Sequence, residues 1–202
     1  MLLVIDTSTA ACTAALFDEA GACLASRDEL IGRGHAERLM PMIGELMAGR
    51  RADRILVGVG PGSFTGIRVG IAGAQGLAIG WSATVSGLSS LALLAAGSAG
   101  NGSVAAAIEG GHGELFVQAF ERPSLCPQSD PFNLPPESAA AACQAELVVG
   151  PGARRLVDAR GWGEACDAWP SAANALRLPD DLRALPPKPV YGRAPDARAK
   201  AA

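Results

Sequence analysis

The chain has 202 residues, of which 49% are hydrophobic, and its mean hydropathy is +0.22. It is therefore long enough for one large or two small domains with a substantial core. Seventeen Lys and Arg residues against 20 Asp and Glu residues give a net charge of −3, and only 4% of residues are aromatic. This composition excludes a basic patch with interleaved aromatic residues, so we do not expect the chain alone to bind RNA or DNA.

The cysteines and the apolar stretches indicate which cellular compartment to expect for this chain. Five cysteines are scattered without a Cys-x-x-Cys pair, which is typical of a reducing cytoplasm where cysteines serve as small core residues. The first residues lack a basic segment and reach Asp6 at once, so we expect no signal peptide. Gly, Ser and Gln interrupt the apolar stretches before they reach membrane-spanning length, so we expect a cytoplasmic protein that does not contact a membrane.

Three short strands are predicted first, over residues 2–5, 12–17 and 22–27, and tight turns between them indicate an antiparallel meander. Asp6, Thr7 and Ser8 follow the first strand. A carboxylate and hydroxyls at the end of a strand suit a contact with a metal-bound phosphate. They equally suit a turn in which these side chains bond their own backbone.

Residues 33–47 form the first predicted helix, because their apolar side chains recur at helical spacing. Three of the four methionines of the chain lie here. Methionine adapts its shape, so a methionine-rich face often serves as a docking surface. An ordinary core face explains the pattern about as well. The residues of this segment that we select as candidate contacts are His35, Arg38, Leu39, Met42, Ile43 and Met47.

Residues 58–80 contain the most distinctive stretch of the sequence. An apolar strand over residues 54–59 leads into Gly-Pro-Gly at 60–62, which breaks it. Ser63 or Thr65 is then placed to cap a helix. Glycines in the interior of that helix cost about 1 kcal/mol each relative to alanine. At 100° per residue they form one smooth stripe, against which another backbone can lie closely. The stripe consists of Gly66, Gly70, Gly73, Gly76 and Gly80.

Three interpretations of this stretch compete: a tightly packed core helix, a phosphate-binding loop at a helix N-terminus, and a helix–helix interface. No Gly-Lys-Ser/Thr follows the glycines, and the Gly-x-Gly-x-x-Gly spacing is missing, so the packing interpretations are favoured over the phosphate one. Apart from Arg68 and Gln75 the positions are apolar or small, which predicts a helix buried nearly all round. The candidate contacts that we select here are Gly66, Arg68, Gly70, Gly73, Ala74 and Leu77.

The second half of the sequence repeats the first weakly. Residues 104–120 parallel residues 2–17 as strand, acidic residue, small-residue turn and strand, and the Gly-Pro-Gly at 150–152 parallels that at 60–62. We therefore predict an internal duplication. The linker at 97–102 divides the chain into a first half, 1–100, with the interface helices, and a smaller half, 101–202.

The other predicted elements are shorter. They are a strand at 83–86, a helix at 87–96, a Pro-rich loop at 123–136, and helices at 136–143 and from 153. Residues 161–179 receive no assignment. We expect a helical turn at 180–185, an extended segment at 186–190 and a frayed end at 196–202. Two halves of this kind suggest an α/β, duplicated actin/Hsp70/sugar-kinase-like (ASKHA) fold, which normally holds a nucleotide between its halves.

Three segments carry a resemblance to a known family: residues 5–12 (IDTSTAAC), 34–43 (GHAERLMPMI) and 58–78 (GVGPGSFTGIRVGIAGAQGLA). Together they resemble the TsaB (YeaZ) family, which takes part in forming threonylcarbamoyladenosine in tRNA. Residues 189–193 (PVYGR) are similar to the C-terminal motif of that family. Where the family often has Asp-Ala-Arg, this chain has Glu109 followed by two glycines and no arginine, so no role of that arginine transfers.

The resemblance implies a non-catalytic subunit that binds and activates a TsaD-type threonylcarbamoyltransferase together with a TsaE-type ATPase. It implies a homodimer formed through the helices of the first half, a surface that then engages TsaD, and contact with tRNA only through the complex. The twelve contact residues selected above are the interface on this hypothesis. No cofactor is required.

The sequence lacks the residues that two enzymatic alternatives require. A TsaD-like metal site needs paired histidines, but position 39, one turn after His35, is leucine, and His112 lies in the other half. Ser63 lacks the surroundings of a protease nucleophile. The remaining alternative is a small-molecule kinase or nucleotide-binding protein. In it Asp6, Thr7 and Ser8 would face ATP or ADP in the cleft, with Glu109 opposite. No catalytic or metal-binding residue is assigned.

Overall fold

The structure is a computed structural model, and it describes residues 1–191. The predicted frayed end at 196–202 and the last two positions of the 189–193 motif lie outside the described residues. The first sheet has the strand order β3-β2-β1-β4-β5. Strand β1 pairs antiparallel with β2 and parallel with β4, so the sheet combines a meander with parallel strands. Its strands are β1 (Leu2–Asp6), β2 (Ala11–Phe17), β3 (Cys23–Leu30), β4 (Arg54–Gly58) and β5 (Thr84–Leu88).

The second sheet repeats this arrangement. Strand β6 pairs antiparallel with β7 and parallel with β10, as β1 does with β2 and β4. The predicted duplication is therefore confirmed by strand topology. The strands are β6 (Gly102–Glu109), β7 (Leu115–Arg122), β8 (Cys126–Pro127), β9 (Phe132–Leu134), β10 (Leu147–Val149) and β11 (Glu164–Cys166). The predicted Pro-rich loop is only partly a loop, since β8 and β9 lie inside it and pair with β7.

Helices cover both sheets. Helices α1 and α2 pack on one face of the first sheet, and α4 and α5 pack on the equivalent face of the second sheet. The inner faces of both sheets enclose α3 in a shared hydrophobic core. The helices are α1 (His35–Met47), α2 (Phe64–Trp81), α3 (Ser90–Ala95), α4 (Pro136–Ala142) and α5 (Ala153–Arg160). Within residues 1–191, no helix combines the length and apolarity that crossing a membrane requires.

Residues 171–190 return to the first sheet. The Ala172 N–H donates to Thr13 Oγ1 at 2.8 Å, Leu185 bridges Gly87, and the Val190 N–H donates to the Val59 carbonyl at 2.8 Å. This segment contains two short 3-10 helices, Ala172–Arg177 and Asp180–Leu182. A division of the chain at residue 100 stays a prediction, because the end of the described chain packs on the first half.

Candidate functional site

The loop after β1 is held by its own side chains. The Asp6 carboxylate accepts hydrogen bonds from the Ser8 N–H at 2.8 Å, the Ser8 hydroxyl at 2.7 Å and the Ser90 hydroxyl at 2.6 Å. The Thr7 hydroxyl donates to the Gly66 carbonyl at 2.7 Å. Of the two interpretations left open for this segment, the structure therefore shows the turn in which Asp and Ser side chains bond their own backbone.

Asp6 and Thr7 are fully buried and are not among the residues that line the cleft between the halves. Burial raises the pKa of Asp6 above its ordinary value, and the hydrogen bonds from Ser90 and Ser8 only partly oppose that shift. Of the three residues suggested as a nucleotide contact, only Ser8 lines the cleft between the halves. Contact of Asp6 and Thr7 with a nucleotide stays a prediction, and in this structure both side chains are hydrogen-bonded within the protein.

The first half of α2 accepts this loop. Ser63 caps the helix, since its hydroxyl accepts from the Gly66 N–H at 3.2 Å, and the Ser63 N–H donates to the Ser8 carbonyl at 2.6 Å. A Cβ at Gly66 would overlap the Thr7 carbonyl oxygen, and one at Gly70 would lie 2.5 Å from Thr7 Oγ1. The close approach predicted for the glycine stripe thus occurs within one chain.

The glycines in the second half of α2 do not contact the rest of the chain. A Cβ at Gly76 or Gly80 would meet nothing within 4 Å. Ile79, between them, is 84% exposed. The prediction of a helix buried nearly all round is wrong, because α2 lies on the outside of the sheet and only its inward face is covered.

The residues selected as contacts lie mostly on the inward faces of α1 and α2. Within the chain they pack on the first sheet, and their contact with a partner stays a prediction. These buried residues are His35, Leu39, Met42, Ile43, Met47, Gly66, Gly70 and Ala74. Gly73 and Leu77 are half-buried, and a Cβ on Gly73 would lie 3.1 Å from Leu39 Cδ2. His35 begins α1, with its Nε2 3.3 Å from the Ala11 carbonyl oxygen.

Arg38 is also engaged within the chain. Its guanidinium donates to both carboxylate oxygens of Glu29, at 2.7 Å and 2.6 Å, and to Glu45 Oε1 at 2.9 Å. These hydrogen bonds hold the pKa values of Glu29 and Glu45 below their ordinary range. The arginine therefore joins α1 to β3.

The outward faces of α1 and α2 form the first candidate site, and we call them the outer face. The two helices are neighbours on the same sheet. Most exposed side chains there are small or apolar, and the charged ones include Glu37 and Glu45 on α1. Met40 is 46% exposed and Ile79 84%. The other exposed residues of this face include Ala36, Glu37, Pro41, Gly44, Glu45, Ala72, Gln75, Gly76 and Gly80.

A cleft of about 610 Å³ between the two halves is the second candidate site. Ser8, Ser63 and Arg68 line it from the first half. The Arg68 guanidinium carbon lies 3.2 Å from the centroid of the Phe64 ring and 5.1 Å from that of Tyr191. Cation–π contact therefore holds this arginine at the rim of the cleft.

The second half contributes the turn between β6 and β7 to the cleft. Glu109 lines it as predicted, with Arg155 Nη1 3.6 Å from its carboxylate, and Glu114 accepts a hydrogen bond from the Asn133 amide. His112, in the same turn, has a positive φ of 60°. No group of three or more His, Cys, Asp or Glu side chains that could hold a metal ion occurs among residues 1–191.

Sequence reasoning missed several residues of both sites. Met40 and Ile79 were counted among the apolar positions of their helices, and Phe64, Tyr191 and Trp169 were given no role. The i, i+4 spacing of Phe64 and Arg68 was a usable signal, because such residues are neighbours on a helix. Nothing in the sequence indicated that Tyr191 returns to the start of α2.

Two copies of one strand topology around a cleft define the class of this protein: it has a duplicated α/β, actin/Hsp70/sugar-kinase-like fold. A family model described as TsaD, tRNA N6-adenosine threonylcarbamoyltransferase, matches residues 27–124. The structure of YeaZ from Pseudomonas aeruginosa superposes with a TM-score of 0.79 at 34% identity, covering 94% of this chain and 98% of that one. The chain belongs to the TsaB (YeaZ) family.

Curated relatives carry the name tRNA threonylcarbamoyladenosine biosynthesis protein TsaB. The Escherichia coli K12 protein is 36% identical over 129 residues, which cover 60% of this chain and 55% of that protein. The Haemophilus influenzae protein is 42% identical over 99 residues, which cover 46% of this chain and 41% of that protein. The aligned part of the chain thus spans about half the length of these relatives.

Proposed function

We propose that this protein is a non-catalytic subunit in the synthesis of threonylcarbamoyladenosine in tRNA. In this proposal it forms a homodimer and also binds and activates a TsaD-type transferase, with a TsaE-type ATPase completing the assembly in the cytoplasm. Membership of the TsaB family supports the pathway, because the curated relatives bear that name. With its net charge of −3 the chain would meet tRNA only through its partners.

The outer face is the observation that carries the partner role. Two neighbouring helices expose Met40 and Ile79 among glycines and alanines, without a charged side chain between Gln75 and Ile79. Exposed large apolar side chains on neighbouring helices can belong to a protein interaction site. Small residues let a second helix approach closely, which suits both a twin chain and a related partner of the same fold.

The interface hypothesis now rests on different residues than the sequence suggested. Replacing Gly70 by leucine would disrupt the first half's own core, because its Cβ would meet Thr7 Oγ1 at 2.5 Å. A selective test must use exposed positions. We therefore choose Met40→Glu and Ile79→Glu, which place a charge on the outer face without touching the sheet.

Leu24→Glu is the matched control. Leu24 has the same 46% exposure as Met40 but lies on β3 and on neither helix. Sedimentation velocity over a concentration series should show that Met40→Glu and Ile79→Glu shift the chain toward monomer while Leu24→Glu does not. Equal self-association of all three variants would refute the outer face as the dimer contact.

Reconstitution tests the pathway itself. Purified TsaD-type and TsaE-type proteins with tRNA are assayed for modified adenosine, with and without this chain. We expect the chain to raise the yield strongly, Leu24→Glu to match the parent, and Ile79→Glu to lose most of the effect. Equal yield with and without the chain would overturn the proposed function, whatever the oligomeric state.

A further inference from the structure

The cleft between the halves carries charges of opposite sign on its two sides. Arg68 lines it from the first half, and Glu109 and Glu114 line it from the second. The variants that test the outer face, Met40→Glu and Ile79→Glu, change none of these residues. The cleft thus has a chemistry of its own, which the proposed function leaves unexplained.

The Arg68 side is built for an anion. Within residues 1–191, no carboxylate or carbonyl accepts a hydrogen bond from its guanidinium, while one face of the group stacks on Phe64. The N–H edges are therefore available, and their planar fork matches a carboxylate. The N-terminus of α2 lies beside it, where the N–H groups of Phe64 and Thr65 have no acceptor within the helix.

The opposite side is built for a cation. The Asn133 amide donates to Glu114 and so fixes that carboxylate in the wall. Glu109 keeps half of its side chain exposed, and its pair with Arg155 at 3.6 Å is of the weak, solvated kind. Two carboxylates in one wall attract an ammonium group and repel the phosphates of a nucleotide.

Apolar side chains line the same cleft as these charged groups. They are Ile108, Phe116, Pro151, Trp169 and Val190. The cleft volume of about 610 Å³ falls within the range of small-molecule sites in proteins. A ligand that satisfies all three regions has a carboxylate, an ammonium group and an apolar side chain.

We propose that the cleft binds a short peptide zwitterion with an apolar side chain. Its carboxylate binds Arg68 and the start of α2, and its ammonium group lies against Glu109 and Glu114. The walls come from both halves, so binding joins them. The inference does not depend on the proposed function, since it concerns neither the outer face nor tRNA.

The dipeptide Leu-Phe is a suitable probe for calorimetric titration of the full chain. Its N-acetylated form lacks the ammonium group and its amidated form lacks the carboxylate. We expect saturable binding of Leu-Phe, with at least tenfold weaker affinity for each blocked form. Arg68→Gln should bind Leu-Phe and its amidated form with equal affinity, because the group that recognises the free carboxylate is gone. The double variant Glu109→Gln/Glu114→Gln should likewise bind Leu-Phe and its N-acetylated form with equal affinity.

Arg51→Gln, at an exposed arginine outside the cleft, should bind like the parent. Ile79→Glu should also bind like the parent, which separates this test from that of the interface. Circular dichroism confirms that each variant is folded. Absence of Leu-Phe binding at millimolar concentration, or equal affinity for the blocked forms, would overturn the proposal. So would ATP or AMP binding at Arg68 in place of the dipeptide.

Discussion

Gly66 and Gly76 lie on the same helix, but replacing each by alanine should change stability in opposite directions. At an exposed helix position the change from glycine to alanine stabilises by about 1 kcal/mol, because alanine loses less backbone entropy on folding. Gly76 is such a position, since an added Cβ would meet nothing within 4 Å. Gly76→Ala should therefore raise the free energy of unfolding by about 1 kcal/mol.

At Gly66 the same methyl group would overlap the Thr7 carbonyl oxygen. That oxygen belongs to the backbone of a loop bonded to Ser63, Gly66 and Ser90, so no side-chain rotation relieves the overlap. Overpacking of this kind costs about 3 kcal/mol, and the gain in helix propensity returns about 1 kcal/mol. Gly66→Ala should therefore lower the free energy of unfolding by about 2 kcal/mol.

The assay is thermal and urea unfolding followed by circular dichroism. For a chain of this size, the two changes correspond to a rise of about 2–4 °C for Gly76→Ala and a fall of about 4–8 °C for Gly66→Ala. Each variant is measured at two protein concentrations, because self-association would couple to stability. A Gly66→Ala protein as stable as the parent would refute the packing of the β1 loop against α2. A destabilised Gly76→Ala protein would refute the claim that Gly76 has no neighbour against which an added methyl group would pack.

Three further outcomes are expected. Burial raises the pKa of Asp6, so the native state holds the proton more tightly than the unfolded state. The free energy of unfolding of the parent should therefore fall as the pH rises from the ordinary pKa of 3.8 through the raised pKa, and Asp6→Asn should remove this pH dependence. Urea midpoints across this window that change alike in both proteins would contradict the placement of Asp6. Ser63→Ala should cost about 1 kcal/mol by removing the α2 cap, seen as a lower melting temperature, whereas an unchanged value would argue against the cap. Cys12 and Cys143 are buried, and burial raises the pKa of the Cys12 thiol to about 11. Because burial blocks access, a thiol reagent should spare both in the native protein, and fast modification of either would contradict their burial. The thiols expected to react are Cys23, Cys126 and Cys166.

Local sequence patterns were sufficient for the elements with strong periodicity or clear stop signals. The meander, α1 and the strand–turn–helix around Gly60 to Ser63 all form as predicted, with β3 running to Leu30. The Pro-rich segment failed because prolines can occupy edge positions of a sheet, and β8 and β9 are edge strands of two and three residues. Residues 161–179 resisted prediction because neither of their elements has local periodicity. Strand β11 has only three residues, and the 3-10 helix Ala172–Arg177 is held on the first sheet by the bond from the Ala172 N–H to Thr13.

The candidate sites show the same limit. Apolar spacing identified Leu39, Met42 and Ile43 as one helix face, and it cannot distinguish a face that contacts a partner from one that contacts the chain's own sheet. The structure places this face inside. A docking surface is then sought among the residues left outside, Met40 and Ile79, whose spacing alone carries little signal.

The sequence by itself determined the duplication, the α/β class, the capped helix after Gly-Pro-Gly and the family, because these depend on local propensities and on motifs read along the chain. Only the tertiary structure decided what the glycine stripe contacts. Gly66 and Gly70 receive the β1 loop, while Gly76 and Gly80 stay open. It likewise decided that Asp6 is bonded inside while Arg68 and Tyr191 meet at the cleft. The physical reason is that these contacts join residues 59 to 123 positions apart, and their energies arise only when distant segments pack together.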